Sequence, residues 1–349
     1  MDELNLFRFP LAWAAVLLAL DVAGRVRHGR GALPRAREYL WAGAASLLFW
    51  DLFELLNLRL QDWWYTGVSP LLVPRAAFAA ISFATVLPAV RLGEWLLSPS
   101  PTDRARPLPA RSGSGGRLLL LGLSMLGLAL ALPDHAFALA WLFLWPLFEA
   151  ALEFLPPLPG APSPLQSWRA GDRARVWRLL ALGLLLGLLW ESLNWRCPRG
   201  WVYTVPHFEG AKLFEMPLPG YLGYLPFALE AAAGLALLDR VRQLWSRAAA
   251  LGALGLLFAL HLGLEATAFP LSTLSNAPER SASAGAPLAA VAQLGPRWSE
   301  RLAAAGFSSV EALARADPAE LERALRRAGD APPPRVLRLW IHAARRELR

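Results

Sequence analysis

Val176-Trp-Arg-Leu-Leu-Ala-Leu-Gly-Leu-Leu-Leu-Gly-Leu-Leu-Trp-Glu-Ser-Leu-Asn194 decides how the chain is read. It is nearly continuous apolar sequence, about as long as a helix needs to cross the ~30 Å core of a bilayer. It ends on a glutamate and an asparagine three residues apart, on one helix face. Seven further apolar segments lie along the 349 residues: Leu4–Val22, Tyr39–Leu58, Leu71–Leu97, Leu118–Leu132, Ala136–Leu155, Tyr221–Leu238 and Ala248–Phe269. Hydrophobic residues make up 55% and charged residues 18%, against about 25% charged in an ordinary soluble domain. Disorder is excluded by this apolar content. With Cys197 as the single cysteine, an internal disulfide and a cysteine-rich zinc site are excluded too. The expected class is all-α: a polytopic membrane protein of about eight transmembrane helices, followed by a small soluble helical domain.

The cations are almost all arginine, Lys212 being the sole lysine, and the net charge is +8. Arg25, Arg27, Arg30, Arg35, Arg37, Arg104, Arg106, Arg111, Arg117, Arg169, Arg173, Arg175, Arg178, Arg240, Arg242 and Arg247 fall in or beside the odd-numbered connections. The even side and its flanks hold Arg8, Arg59, Arg75, Arg196, Arg199 and Lys212. The positive-inside rule then predicts cytoplasmic odd loops, both termini outside, and an inner or plasma membrane of a bacterium. Asp2 and Glu3 stand where a signal peptide would be basic, so the first segment reads as an uncleaved helix. Tryptophans near the span ends fit an interfacial belt.

The chain repeats itself. Phe9-Pro-Leu-Ala-Trp13 matches Phe137-Ala-Leu-Ala-Trp141, and Glu54-Leu-Leu-Asn57 matches Glu191-Ser-Leu-Asn194. Loops carrying Trp63-Trp-Tyr65-Thr66 and Trp201-Val-Tyr203-Thr204 follow, and Leu87-Pro88 matches Leu225-Pro226. The expected organisation is a first three-helix repeat (1–100), a loop with a connector helix (101–133), a second repeat (134–240), a last transmembrane helix (241–269), a linker (270–286) and a soluble domain (287–349). An odd connector keeps both repeats in one orientation, the parallel case.

Ionisable residues inside spans are costly and are site candidates by default. Glu54 with Asn57 and Glu191 with Asn194 lead, each asparagine placed to donate to its carboxylate; apolar surroundings favour the neutral acid. Glu230 lies mid-span as a further acid or base, and Glu215 lies in the proline-rich loop before it. Trp63, Tyr65, Trp190, Trp201, Tyr203, Tyr221 and Tyr224 form the expected walls of a substrate cleft. The structural alternative is inter-helix hydrogen bonding by the same groups. Arg91 and Glu94 read as an ion pair, and His261 and Glu265, four apart, as a hydrogen-bonded pair rather than a metal site. No phosphate-binding, nucleotide-binding or hydrolase motif is present, and neither a metal nor a cofactor is expected.

From Pro270 to Gly285 the sequence turns to Ser, Ala, Pro and Asn, a linker. After it a helix ends at Gly306, Ser308-Ser-Val-Glu311 has capping-box spacing, and Asp317-Pro318 opens a third helix. With its Leu-Gly, Gly-Phe-Ser-Ser-Val-Glu and Asp-Pro-Ala-Glu-Leu pattern, the segment resembles helix-hairpin-helix domains. Its modest positive charge and single hairpin glycine favour a protein partner over nucleic acid.

The second-half set Glu191, Asn194, Trp201, Tyr203, Glu215 and Pro217 resembles the integral-membrane carotenoid enzymes of the lycopene cyclase-domain type, which are also tandem three-helix units. The resemblance implies a cofactor-independent cyclase, isomerase or hydratase acting on an isoprenoid lipid, with Glu191 as acid or base and Trp201 and Tyr203 beside a carbocation. Two other classes fit the same residues: a membrane scaffold whose tail recruits a protein, and a transporter.

Overall fold

In a computed structural model, the described residues are 8–33, 35–60, 62–69, 71–99, 112–131, 143–156, 162–195, 197, 200–203, 212–268, 273–275, 288, 291, 294–329, 331 and 334–348. His135, His207, Glu209, most of the arginine-rich third connection and most of the linker lie outside them.

Among the described residues six helical segments are long and apolar enough to cross a membrane: Arg8–His28, Ala36–Leu60, Leu72–Leu97, Arg173–Asn194, Leu218–Leu244 and Ala248–Thr267. The first two are α1 (Arg8–His28) and α2 (Ala36–Leu60). Strand β1 (Trp63–Val68) follows, then α3 (Leu72–Phe83) and α4 (Val86–Leu97), which divide the third segment. Of the fourth and fifth expected spans, the described residues hold α5 (Gly115–Ala131), 17 residues, and α6 (Leu144–Phe154), 11 residues, and 132–142 lie outside the description. After α7 (Pro164–Arg169) come α8 (Arg173–Asn194), β2 (Gly200–Tyr203), β3 (Lys212–Leu213) and β4 (Met216–Pro217). The last long helices are α9 (Tyr221–Leu244) and α10 (Arg247–Thr267), followed by β5 (Thr273–Ser275). Four helices close the chain: α11 (Gly295–Ala304), α12 (Val310–Arg315), α13 (Pro318–Arg327) and α14 (Pro334–Glu347).

Three local features explain how these elements fit. At the α3–α4 break, Ser46 of α2 is fully buried; its hydroxyl donates to Phe83 O at 2.5 Å and accepts from Leu87 N at 3.0 Å. Backbone groups freed inside a bilayer must find partners nearby, and Ser46 is theirs. Ser46→Ala is expected to leave both without that partner and to cost about 1–3 kcal/mol, read as a lower melting temperature in detergent; an unchanged melt would mean the break holds itself.

On α8, Gly183 and Gly187 face α9. A Cβ at 183 would collide with the Tyr224 carbonyl and one at 187 with the Tyr224 ring. Small residues four apart let two membrane helices close to backbone contact. The third feature is a sheet where loops were expected: β1 pairs antiparallel with β2, with Trp63 opposite Tyr203 and Tyr65 opposite Trp201, and β5 adds in parallel on the other edge of β1. The described fold is therefore helical, with a small sheet joining segments far apart in sequence.

Several charged pairs tie helices together, while Arg25–Asp21 and Arg326–Glu322 stay within one helix. Arg91 bonds Asp239 at 2.6 Å and Arg175 bonds Glu94 at 2.6 Å, so the expected Arg91–Glu94 pair is replaced by links from α4 to α9 and α8. The terminal helices have their own core of Leu302, Val310, Leu313, Leu321, Leu337 and Trp340. Gly306, at φ +94°, ends α11 in the left-handed region that suits glycine. Asp317 accepts from Ala319 N and Glu320 N at 3.0 Å with Pro318 at the first helical position, as expected. The cap of α12 is Ser309, which accepts from Ala312 N at 3.2 Å, one residue later than the Ser308 spacing suggested.

Candidate functional site

The two Trp-x-Tyr strands deliver their side chains to two buried glutamates. Glu54 Oε1 accepts from Trp50 Nε1 at 2.8 Å, Trp63 Nε1 at 3.0 Å and Tyr65 OH at 2.5 Å. Glu191 Oε1 accepts from Trp201 Nε1 at 3.2 Å, Tyr203 OH at 2.8 Å and Tyr224 OH at 2.6 Å. Glu54 is 1% exposed and Glu191 0%. Each sits in an aromatic nest with one oxygen fully served. The other oxygen, Oε2, is buried and has no hydrogen-bond partner among the described residues. Burial, with the neighbouring glutamate adding, holds the Tyr65 and Tyr203 hydroxyls well above the ordinary tyrosine range, so both remain donors.

The asparagines do a different job from the one expected. Asn57 donates to Trp63 O at 2.9 Å and accepts from Asp62 N at 2.9 Å and Trp63 N at 3.3 Å. Asn194 donates to Trp201 O at 2.8 Å and accepts from Trp201 N at 3.0 Å. Both carboxamides clamp the start of a strand and position its tryptophan, and thus act on the glutamate at one remove. A Cβ at Gly200 would collide with Asn194 Oδ1, so glycine there makes room for the clamp.

The third donors come from different helices. Trp50 lies four residues before Glu54 on α2, a spacing that puts it on the same face. The same place before Glu191 is Gly187, and the space is filled by the ring of Tyr224 from α9. Trp50 is a site residue that the sequence reading missed, although the i, i+4 spacing was available. Phe9 and Trp13 of α1 were missed as well. Phe9 meets Trp201 edge-on at 5.0 Å, and Trp13 lies 5.3 Å from Trp190. Trp190 also stacks on Trp50 at 5.5 Å and meets Trp201 at 5.9 Å, so one indole touches both nests.

Other expected members lie elsewhere. Glu230 does not join the Glu191 nest: its Oε1 accepts from Trp145 N at 3.2 Å, one of the backbone N–H groups that the first turn of α6 leaves without a partner inside the helix. Tyr221 donates to Leu213 O at 2.9 Å and holds β3. Glu215 is buried and its Oε2 lies 3.3 Å from His342 Nε2 on α14. His261 and Glu265 do not bond each other. His261 Nδ1 meets Asp51 at 3.0 Å, and Glu265 takes Arg75 Nε at 2.9 Å.

Beside the Glu191 nest runs a crevice lined by Trp13, Val86, Gly187, Trp190, Tyr224 and Phe227 among others, almost wholly apolar. Its free volume is about 10 Å³, room for about one water. The Nε1 groups of Trp13 and Trp190 are buried without a hydrogen-bond partner among the described residues. Among the same residues no group of three or more His, Cys, Asp or Glu could hold a metal. No protein-family model, curated protein or solved structure matches the chain, so the site's own geometry carries the functional reading.

Proposed function

We propose that this integral membrane protein binds an apolar, isoprenoid-like lipid between its two halves and moves protons to and from it with Glu54 and Glu191. The observation that carries the reading is the pair of nests, each with three donors on Oε1 and an unpartnered Oε2. A carboxylic acid there would hold its proton on Oε2. Given to a carbon–carbon double bond, that proton is bonded by the π electrons and leaves a carbocation on the lipid. The O–H electrons stay on the carboxylate, whose charge the three donors to Oε1 stabilise. Loss of a proton from the adjacent carbon to a carboxylate ends the reaction without a cofactor. The faces of Trp13, Trp50 and Trp190 suit a passing cation, and the two unpartnered indole N–H groups suit an oxygen on the lipid. At its present width the crevice excludes a polyene, so entry requires the Trp190 and Tyr224 rings to swing.

On this reading the halves are a tandem repeat about an axis along the membrane normal, in an eight-span chain with arginine-rich loops in the cytoplasm and both termini outside. The β1–β2 register supports a two-fold relation between the halves, because it sets Trp63 opposite Tyr203 and Tyr65 opposite Trp201. The terminal helices are a helix-hairpin-helix-like module for a protein partner. A second reading, a scaffold in which the nests only latch the halves together, is favoured by the closed crevice.

Glu54→Gln and Glu191→Gln separate the two. The acid reading expects conversion to fall by about 10²–10⁴-fold with the melting temperature little changed. Mass spectrometry of lipids co-purifying in mild detergent is then expected to show a precursor in the variants and its isomer, cyclised form or hydrate in the wild type. A lowered melting temperature with identical lipids in all three proteins would establish the latch instead.

A further inference from the structure

Two carboxylate–imidazole pairs are buried near the nests, and both imidazoles come from elements that follow the two halves. Asp51 lies one helical turn before Glu54 on the same face of α2. Its oxygens meet His261 Nδ1 of α10 at 3.0 and 3.2 Å, while His261 Nε2 lies 3.3 Å from Ala76 O. Asp51 and His261 are 2% and 1% exposed. A carbonyl only accepts, so Nε2 carries a hydrogen. The pair then shares one further proton between Nδ1 and the carboxylate. The neighbouring charges, Arg75 and Glu265, are matched to each other at 2.9 Å.

The second pair is built from Glu215 and His342. Lys212 Nζ lies 3.3 Å from His342 Nδ1 and donates to Tyr203 O at 3.0 Å. An ammonium only donates, so Nδ1 accepts, and His342 Nε2 carries the hydrogen that faces Glu215 Oε2 at 3.3 Å. Glu215 stands three residues after Lys212 in the β3–β4 hairpin. Tyr203, whose carbonyl Lys212 holds, donates its hydroxyl to Glu191.

We infer that each nest exchanges its proton through its own pair: Asp51–His261 for Glu54, and Glu215–His342 with Lys212 for Glu191. This rests on the acid reading of the nests. In the first, the one shared proton passes from His261 Nδ1 through Asp51 to the Glu54 carboxylate, across one water or a side-chain rotation, leaving Asp51 ionised and His261 neutral with its hydrogen on Nε2. In the second, the Nε2 proton of His342 passes to Glu215 as Nδ1 takes one from Lys212, and Glu215 reprotonates Glu191. These are positioning residues, acting through the glutamates. The C-terminal helices thereby become part of the second site.

Infrared spectroscopy of the full chain on transfer to deuterium oxide tests this without knowledge of the substrate. Glu54→Gln and Glu191→Gln assign the two protonated-carboxyl bands by deleting them. Asp51→Asn and His261→Phe are expected to slow deuterium exchange of the Glu54 band by about a hundredfold and to leave the Glu191 band alone. Glu215→Gln and His342→Phe are expected to do the reverse. Backbone amide exchange in the same spectra monitors folding, and a merely structural role would speed both bands together. Unchanged rates, or equal changes in both nests, overturn the assignment. Absence of any protonated band in the wild type overturns the acid reading as well and is distinguishable from failure of the pairs alone. His261→Gln and His342→Gln stand in where a phenylalanine variant does not fold.

Discussion

Gly187→Trp on its own is expected to destabilise the bundle, and adding Tyr224→Val is expected to cost much less than Tyr224→Val costs in the wild-type protein. The two nests make the same three bonds with different parts. Trp50 and Gly187 both stand four residues before a nest glutamate; Val86 and Tyr224 both stand just before a Leu-Pro. Around Glu54 the donor is large on α2, and the matching residue before Leu-Pro on α4 is the small Val86, 1% exposed. In the second half α8 has glycine and the ring comes from α9. The exchange of large for small across a helix pair keeps the volume and the third donor. Tryptophan at 187 beside the native Tyr224 overfills the space, costing about 1–3 kcal/mol or more. Tyr224→Val alone empties it and takes a donor from Glu191, about 3–5 kcal/mol on the scale of large aromatic deletions. The double variant recreates the first-half arrangement, with Gly183 still permitting the close backbone approach. Thermal melts of all four proteins in one detergent give the coupling. A favourable interaction of about 1–3 kcal/mol is expected for residues in contact; a double variant as unstable as the two losses added would show that the halves are not interchangeable at this point.

How far the sequence could be read depended on whether the partner was local. Apolar length is local, and six of the eight expected segments are long enough to cross. For the other two, the described residues hold α5 and α6, and residues 132–142 between them lie outside the description. The Glu-x-x-Asn pattern correctly marked the two places where the nests form, but not the bonds. Asparagine three residues on can reach its glutamate, yet the backbone of an incoming strand offered it a donor and an acceptor at once. The β1–β2 ladder joins residues about 138 positions apart, so nothing near Trp63 announces it beyond the alternation of Trp63 and Tyr65. His261 and Glu265 share a face, which suggested a bond between them; each found a stronger partner on another helix. Glu230 was read from its depth in the span alone, and the start of α6 that it serves lies 85 residues away in sequence.

Arg75→Met is expected to free α10 from the bundle. Of the described side chains on that helix only His261 and Glu265 are buried, so the rest offers little packing to hold it. Arg75, 7% exposed, donates through Nε to Glu265 Oε2 at 2.9 Å and through Nη2 to the Glu265 carbonyl at 2.6 Å. Removing the guanidinium leaves a buried carboxylate without its cation, a loss of about 3–5 kcal/mol. Arg75→Met with Glu265→Leu removes both charges, and such a replacement is commonly neutral or stabilising. The double variant should therefore regain the melting temperature that the single one loses. Limited proteolysis between α9 and α10 reads the release directly, faster in Arg75→Met and near wild type in the double variant. The same change carries His261 away from Asp51. If that imidazole serves Glu54, Arg75→Met must slow exchange in the first nest and spare the second, whereas a helix held mainly by lipid would stay in place and leave both rates as they were.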